Sequence, residues 1–506
     1  MMLTRFWKKI GRPLLLRVLI WTEKHDKKPP SLRSSSESIF NKEIHIPTYV
    51  VAIVSGMALF IVLLLEIGLE PLKITGLVFF IVLIVTFIRY YLVYNQPELA
   101  RDDDAITLLG VITILIILGA RGIKIISLIP MFDWLSVYWT PIAASSMLIA
   151  ILLNSRLAIV ITVIIALITG MIYDFSFQVF FVMMISGISG VLSIIGARQR
   201  GDITRAMLHV AGGTALALII IGLFNEWPWL MIRNETAAGI ANGLISGGIT
   251  LLFLPYLETF FSRTTNIRLV ELADFNQPLL KRLMIEAPGT YHHSLVIASL
   301  AEQAAEIIGA NALLCRVGAY YHDIGKLAKP EYFIENQAAM SNLHDELAPS
   351  MSSLVLISHV KEGIAFAKNH KIDDTIIQFI SMHHGTSRIH FFYHKALEQS
   401  SEKNIEEEDF RYPGPKPRTK ETAIIMLADS IEAASRTLEE PTHPRIKDLV
   451  KKISNNKFID GQFDECPITL ADLKSISESF VNTLSSYYHT RVEYPKYAEE
   501  QNGKTA

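Results

Sequence analysis

From Ile46 the chain alternates between long apolar runs and short polar breaks. A helix that crosses a bilayer takes about 20 mostly apolar residues. Runs of that kind fall at about 46–67, 72–94, 105–120, 138–154, 156–173, 176–197, 206–224 and 235–257. Eight spans are expected. The third and fourth are the least sharply bounded, because Gly122 to Trp134 is also apolar and reads equally as an interfacial piece or as part of a span. Beyond Thr259 the pattern changes. Leu295, Leu300, Ala304 and Ile307 recur at helical spacing, as do Ile424, Leu427, Ile431 and Ala434,. Alternating β-branched runs are scarce, so the expected fold is all-α: a polytopic membrane bundle followed by a soluble all-α domain. The stretch 399–420, with acids at 406–409 and Pro413-Gly414-Pro415-Lys416-Pro417, predicts a long exposed loop between helices,. The expected organisation is a basic segment over 1–45, a membrane region over 46–257, a soluble domain over 258–495 and a frayed tail over 496–506.

Composition agrees. Half of the 506 residues are hydrophobic and the mean hydropathy is +0.33, which is high for a soluble enzyme of this length. The net charge of −2 gives no sign of a nucleic-acid polymer as partner. Neutrality hides an asymmetry: the first 33 residues carry nine Lys/Arg against two acids. Within them Leu14 to Trp21 suits a short amphipathic helix on anionic lipid, or a plain basic leader. A cleavable signal peptide fits less well, since no small-residue cleavage site follows. Basic residues in short loops favour the cytoplasmic side. That puts the leader, Arg101, Arg156, Arg198, Arg200 and Arg205 inside, with Arg121, Lys124 and Arg233 outside. Eight spans return the chain to the cytoplasm. The two cysteines, Cys315 and Cys466, are too few for a disulfide framework and suit a reducing compartment,. No mid-span charge pair is legible, which argues against a transporter.

Chemistry concentrates between residues 287 and 430, where ten of the fifteen histidines lie. In order come His293, His322-Asp323, His359, His383-His384 and Asp429. On a helix, neighbours point about 100° apart, so adjacent His322 and Asp323 can approach one metal from different sides, and the aspartate can bridge to a second. Five imidazoles and two carboxylates without a thiolate suit Fe or Mn, then Zn or Co, ahead of Mg and Ca. Two divalent ions about 3.5–4 Å apart activate water and clamp a phosphoryl group, so phosphoester hydrolysis is the implied reaction. Lys326, read as one helical turn past His322, can reach a phosphate oxygen. Tyr291 and Tyr393 are candidates for stacking on a base, and Arg436 for contacting phosphate. His292 is expected to point away from the site.

These residues resemble the HD-domain phosphohydrolases. More closely, the chain is similar to the bacterial 7TM-HD family, whose characterised members are cyclic di-AMP phosphodiesterases. The matching stretches are Glu286 to Ser294, Tyr321 to Lys326, Pro330 to Gln337, Ser358 to Gly363, His383 to Thr386, Tyr412 to Pro417 and Leu427 to Ala433. The resemblance implies a cytoplasmic HD domain with two divalent ions, Fe or Mn, hydrolysing cyclic di-AMP to pApA. It implies that His293, His322, Asp323 and Asp429 hold one ion, that His359, His383 and His384 hold the other, and that Asp323 bridges. It also implies a bacterial cytoplasmic membrane, and a homodimer is compatible with it. One departure is plain. Family members usually carry a large extracytoplasmic domain after the first span, whereas here about four residues, Gly68 to Pro71, separate the first two spans.

Two rivals are kept. A cyclic di-GMP enzyme of HD type would carry Gly-Tyr-Pro soon after the double histidine, and this chain has Gly385-Thr386-Ser387 instead. Hydrolysis of (p)ppGpp or a dNTP is a further option, since the core alone selects no base. A different class is a membrane receptor that binds a nucleotide without turnover. The complete ligand set speaks against it.

Overall fold

A computed structural model of the chain describes residues 48–67, 70–337, 342–399 and 405–488. The expected basic segment, the amphipathic reading of Leu14 to Trp21 and the tail after 495 lie outside the described residues. Among the described residues every regular element is a helix, and the one β feature is an isolated bridge between Arg388 and Arg411.

Eight apolar helices come first: α1 (Thr48–Ile67), α2 (Pro71–Asn95), α3 (Asp103–Ile126), α4 (Ile142–Leu152), α5 (Ser155–Ile172), α6 (Phe177–Ile194), α7 (Arg200–Phe224) and α8 (Trp229–Phe260). Six of them, α2, α3 and α5 to α8, are long and apolar enough to cross a membrane. The protein is a multi-pass membrane protein. Two edges differ from the sequence reading. Residues 122–126 belong to α3, whereas 127–141 is irregular with two 3-10 turns. The fourth run yields only eleven helical residues, because Pro141 at its start cannot continue a helix backwards,. That break frees carbonyls which, at membrane depth, need partners. Asn242 on α8 supplies them, donating Nδ2 to Tyr138 O at 2.8 Å and to Thr140 O at 2.5 Å. A charge pair not legible in the sequence also forms: Lys124 on α3 binds Glu66 on α1.

With 32 residues at about 1.5 Å each, α8 is longer than the roughly 30 Å hydrocarbon core of a bilayer,. It runs into α9 (Asn266–Leu272), which Thr265 caps through the Arg268 amide. Ion pairs tie this junction to both sides. Arg263 meets Asp102, at the α3 N-terminus, at 2.7 Å. Arg200 at the start of α7 meets Glu271 at 2.8 Å, and Arg268 meets Asp373 at 3.2 Å.

The remaining helices are α10 (Pro278–Glu286), α11 (Pro288–Ile307), α12 (Ala312–Tyr321), α13 (Pro349–Asn369), α14 (Asp374–Met382), α15 (His390–Gln399), α16 (Lys420–Ser435), α17 (His443–Ile459) and α18 (Leu470–Tyr488). Proline at the first helical position starts α10, α11 and α13, where the missing N–H costs nothing. One core joins α11, α16, α17 and α18 through residues such as Leu300, Ile424, Leu427, Ile446 and Phe480. Another gathers α9, α10, α12 and α14 around Leu283, Tyr321, Ile324 and Ile380. The polar ends of α12 and α14, and the polar faces of α11, α13 and α16, converge between them.

Candidate metal centre

Two glycines allow that convergence. A Cβ on Gly325 would lie 1.8 Å from His359 O, and one on Gly289 would lie 1.8 Å from Glu335 O. Glycine at 325 lets the segment after Asp323 press against α13 and brings Asp323 to His359. Glycine at 289 lets the turn at 334–336 press against the start of α11.

The segment holding His322 is not the continuous helix that its sequence suggests. α12 ends at Tyr321, and Ile324–Ala328 is a 3-10 helix. Asp323 is thereby buried at the centre, 1 % exposed, with its two oxygens facing different neighbours. Oδ2 lies 3.3 Å from His322 Nε2 and 3.7 Å from His293 Nε2. Oδ1 lies 3.3 Å from His359 Nε2 and 3.6 Å from His383 Nε2. Asp429 on α16 divides similarly. Its Oδ1 is 3.1 Å from His293 Nε2, and its Oδ2 is 3.5 Å from His384 Nδ1.

Two groups of donors result. His293, His322 and Asp429 form one, and Asp323, His359, His383 and His384 form the other; in each, one ligand atom per residue lies within 4.8 Å of the rest. All seven sequence-predicted ligands are brought together. His292 is exposed on the other face of α11.

The imidazoles are held in one tautomer. Nδ1 of His322 donates to Ala319 O at 2.7 Å, Nδ1 of His359 to Leu356 O at 2.5 Å, and Nδ1 of His383 to Ile380 O at 3.0 Å. Each acceptor is the carbonyl three residues earlier. The Nδ1 proton is therefore committed, and the Nε2 lone pair points into the site. Nδ1 of His293 is instead 2.5 Å from Glu432 Oε2. His322 Nε2 and Asp323 Oδ1 are buried and make no hydrogen bond. Buried polar atoms are ordinarily paired. Orphaned donor atoms, ringed by imidazoles and carboxylates, are the chemistry a divalent cation completes, so the residues present fit a metal.

Electrostatics agree. Burial pushes the Asp323 carboxyl up, but the His322 and Lys326 charges outweigh it and hold the group well below the usual carboxylate range. Asp429 is likewise lowered: burial opposes ionisation, and the bond from His293 and the His384 charge overcome it. Burial pushes His359 down to about 4, aided by His383, and pushes His384 down as well. His293 goes the other way. Its bonds with Asp429 and Glu432 overcome burial and raise it to about 9. Both carboxylates stay ionised and His359 and His384 stay neutral, as ligation requires,.

Lys326 lies in the 3-10 turn, not one α-helical turn past His322. Its Nζ is 2.8 Å from Asp323 Oδ2 and 2.6 Å from Glu335 Oε1, and it stands 4.9 Å from the centre of the Phe333 ring. Thr290 donates to the same Glu335 oxygen at 3.1 Å. Of the candidate substrate contacts, Tyr291 packs edge-on against Phe275 at 5.5 Å. Tyr393 lies under the Arg388 guanidinium at 4.8 Å. Arg436 donates Nε to Glu432 Oε1 at 2.7 Å, behind His293. The structure brings none of these three against the ligand cluster.

Three residues escaped the sequence reading. Glu432 is three after Asp429 and so shares its helix face, a signal that was available. Glu335 is brought in by the Gly289 contact. Tyr412 lies in the expected exposed loop, and here the expectation is corrected. Glu407–Phe410 is a 3-10 turn with Phe410 buried, and the next residue but one, Tyr412, stacks on His384 with centroids 4.1 Å apart and planes at 28°. Arg411 fastens this strap to Asp460 at 3.1 Å and to Glu407 at 2.6 Å.

Residues 71–265 match the family described as 7TM receptor with intracellular HD hydrolase, and residues 290–434 match the HD domain. The cyclic-di-AMP phosphodiesterase PgpH of Bacillus subtilis is 38% identical over 432 residues, 84% of this chain and 60% of that protein. PgpH of Listeria monocytogenes is 39% identical over 362 residues, 70% of this chain and 50% of that protein. The chain thus spans about half to three-fifths of these relatives' lengths. The crystal structure of the L. monocytogenes PgpH HD domain in complex with cyclic-di-AMP is 47% identical, covering 43% of this chain and all of that one, with a TM-score of 0.41. With both matches in the same order as its membrane helices and its His/Asp centre, the chain belongs to the family of 7TM receptors with an intracellular HD hydrolase.

Proposed function

We propose that the protein is a metal-dependent phosphodiesterase of the cytoplasmic membrane of a bacterium, hydrolysing cyclic di-AMP to pApA. The observation that carries it is the division of Asp323, whose two oxygens face two separate sets of imidazole nitrogens. A shared carboxylate between two donor sets is the arrangement a two-ion hydrolase needs. His293, His322 and Asp429 would hold one ion and His359, His383 and His384 the other, with Asp323 common to both. The donor set suits Fe or Mn. When bound, such ions supply Lewis acidity toward the phosphoryl oxygens and a lowered water pKa.

The protein groups do the rest. Backbone carbonyls on His322, His359 and His383 fix the ring orientations before substrate arrives. Lys326 offsets the charge of Asp323 and, with Glu335, prevents it from turning. Tyr412 covers His384 and limits water on that side. In the reaction a water oxygen bonds to phosphorus, the bond from phosphorus to the 3′-oxygen breaks, and the 3′-oxygen leaves as a hydroxyl after taking up a proton. One such cleavage opens the ring to pApA. The arginines at the α3 and α7 entrances lie at the same end as the hydrolase domain, through Arg263–Asp102 and Arg200–Glu271, which supports a cytoplasmic active site. Cyclic di-AMP as substrate is supported by the PgpH relatives.

The test is turnover of cyclic di-AMP, cyclic di-GMP and ppGpp by the full-length protein in detergent with Mn or Fe. The His322→Ala/Asp323→Ala double variant serves as blank. Preference for cyclic di-AMP, lost in the blank, is expected. Binding without turnover would leave a nucleotide-sensing receptor, and equal rates on all three would remove the substrate assignment.

A further inference from the structure

Ser430, the residue after Asp429, lines a cavity of about 660 Å³. Its wall carries Ser387, Arg388, Arg411, Lys457 and Asp460. The positive groups differ in one respect. Arg388 is paired with Glu407 at 2.9 Å. Arg411 is paired with Glu407 and Asp460. Lys457 has no carboxylate within ion-pair distance among the described residues. Its Nζ donates to the neutral hydroxyl of Ser387 at 2.7 Å. Burial pushes this ammonium down, and the nearby charges of Asp429 and Asp460 only partly offset it. A half-buried cation bonded only to a hydroxyl is costly unless an anion completes it. Ser387 is three residues after His384, so this cation is set at the turn that carries the double histidine.

We propose that Lys457, with Ser387, binds the second phosphate of a two-phosphate substrate while the first is at the Asp323 and Asp429 centre. The inference rests on the phosphodiesterase reading for the first phosphate. A cyclic dinucleotide has two phosphodiesters on opposite sides of its ring, and only one can occupy the reacting position. The other is an anion that needs a partner. Lys457 is the charged group on this wall free to provide one, and an ammonium bonded to phosphate oxygen is a strong, charge-assisted contact. Lys457 thereby acts as a specificity residue: it favours ligands with a second phosphate over ligands with one.

The test uses calorimetry on the full-length protein in detergent with Mn²⁺. The probes are the bis-phosphorothioate analogue of cyclic di-AMP, which has two phosphates, and AMP, which has one. Lys457→Met is expected to weaken the analogue about tenfold, as loss of a charged hydrogen bond does, and to leave AMP within about twofold. Lys457→Arg should recover most of the difference. Metal content and thermal unfolding of each variant check that the turn at Ser387 is intact. If Lys457 merely braces that turn, both probes weaken together, and the proposal falls. It also falls if neither changes, or if the wild type binds neither probe. A wild type that shows the two-phosphate preference but does not turn over cyclic di-AMP removes the phosphodiesterase reading alone.

Discussion

The Glu432 carboxylate stands 2.5 Å from Nδ1 of His293, across the ring from the nitrogen that meets Asp429. Arg436 in turn holds the other Glu432 oxygen at 2.7 Å. The relay Arg436–Glu432–His293 orients the one imidazole of the candidate ligand set, apart from His384, that lacks a backbone acceptor for its Nδ1 proton. Partners of this kind change metal affinity about 10- to 100-fold when removed. Glu432→Ala should therefore raise the Mn²⁺ concentration for half-maximal activity by that factor. Glu432→Gln, which keeps an acceptor, should do less, and Arg436→Ala less again. A metal titration with content measured by mass spectrometry checks this. Unchanged metal dependence in Glu432→Ala would show that the relay has no positioning role.

Gly325 is the tightest point of the site. A methyl there would be 1.8 Å from His359 O and 2.5 Å from the Gly363 amide. Neither backbone can yield without moving a ligand, so Gly325→Ala should destabilise by about 3 kcal/mol or more, at the severe end for point changes. Metal binding should be lost with it. Gly201→Ala, where a Cβ meets nothing within 4 Å, is the control and should be neutral. Thermal unfolding and bound metal distinguish the two.

Tyr412 stacks on His384 from a strap held by Arg411, Lys416 and Arg418. Ring stacking is worth about 0.5–1.5 kcal/mol. Tyr412→Phe keeps the stack and should retain most of kcat. Tyr412→Ala should lose about three- to tenfold in kcat/KM. Equal losses in both would mean that the hydroxyl, not the ring, matters.

Acid and base should both destabilise the protein after chelation. His359 is lowered from 6.5 to about 4. Between those values the unfolded chain binds a proton that the folded one does not, so stability falls as pH drops from 6.5 to 4. His293 is raised from 6.5 to about 9. Its contribution is complete below 6.5 and is lost as pH rises through 9. Thermal unfolding with EDTA should peak near pH 6.5 and fall on both sides. Loading Mn²⁺ at pH 7.5 should also release about one proton, since His293 can ligate through Nε2 only when that nitrogen is unprotonated. Calorimetry in buffers of different ionisation enthalpy would count it. No buffer dependence would contradict the raised His293.

Hydrophobic runs located the membrane helices because a bilayer imposes length and composition on each span separately. The run at 138–154 was the exception, where Pro141 cut the helix and Asn242, a hundred residues on, answered the broken carbonyls. The metal-ligand candidates were legible for a similar reason, since His322-Asp323 and His383-His384 stand out as local, uncommon pairs. The partners were not. Glu335 reaches Lys326 only because Gly289 admits a turn, Tyr412 reaches His384 from what reads as an exposed loop, and Lys457 reaches Ser387 from seventy residues away.

The sequence by itself determined the all-α composition, the apolar spans and the inventory of imidazoles and carboxylates. These follow from residue type and spacing along one segment. Only the tertiary structure decided that Asp323 faces two ways, that Lys326 guards it from a 3-10 turn, that Glu432 stands behind His293, and that Lys457 bonds to Ser387 with no carboxylate within ion-pair distance among the described residues. Each of those depends on how distant helices meet, and that is fixed by close packing, where one missing Cβ at Gly325 sets the separation of two backbones,.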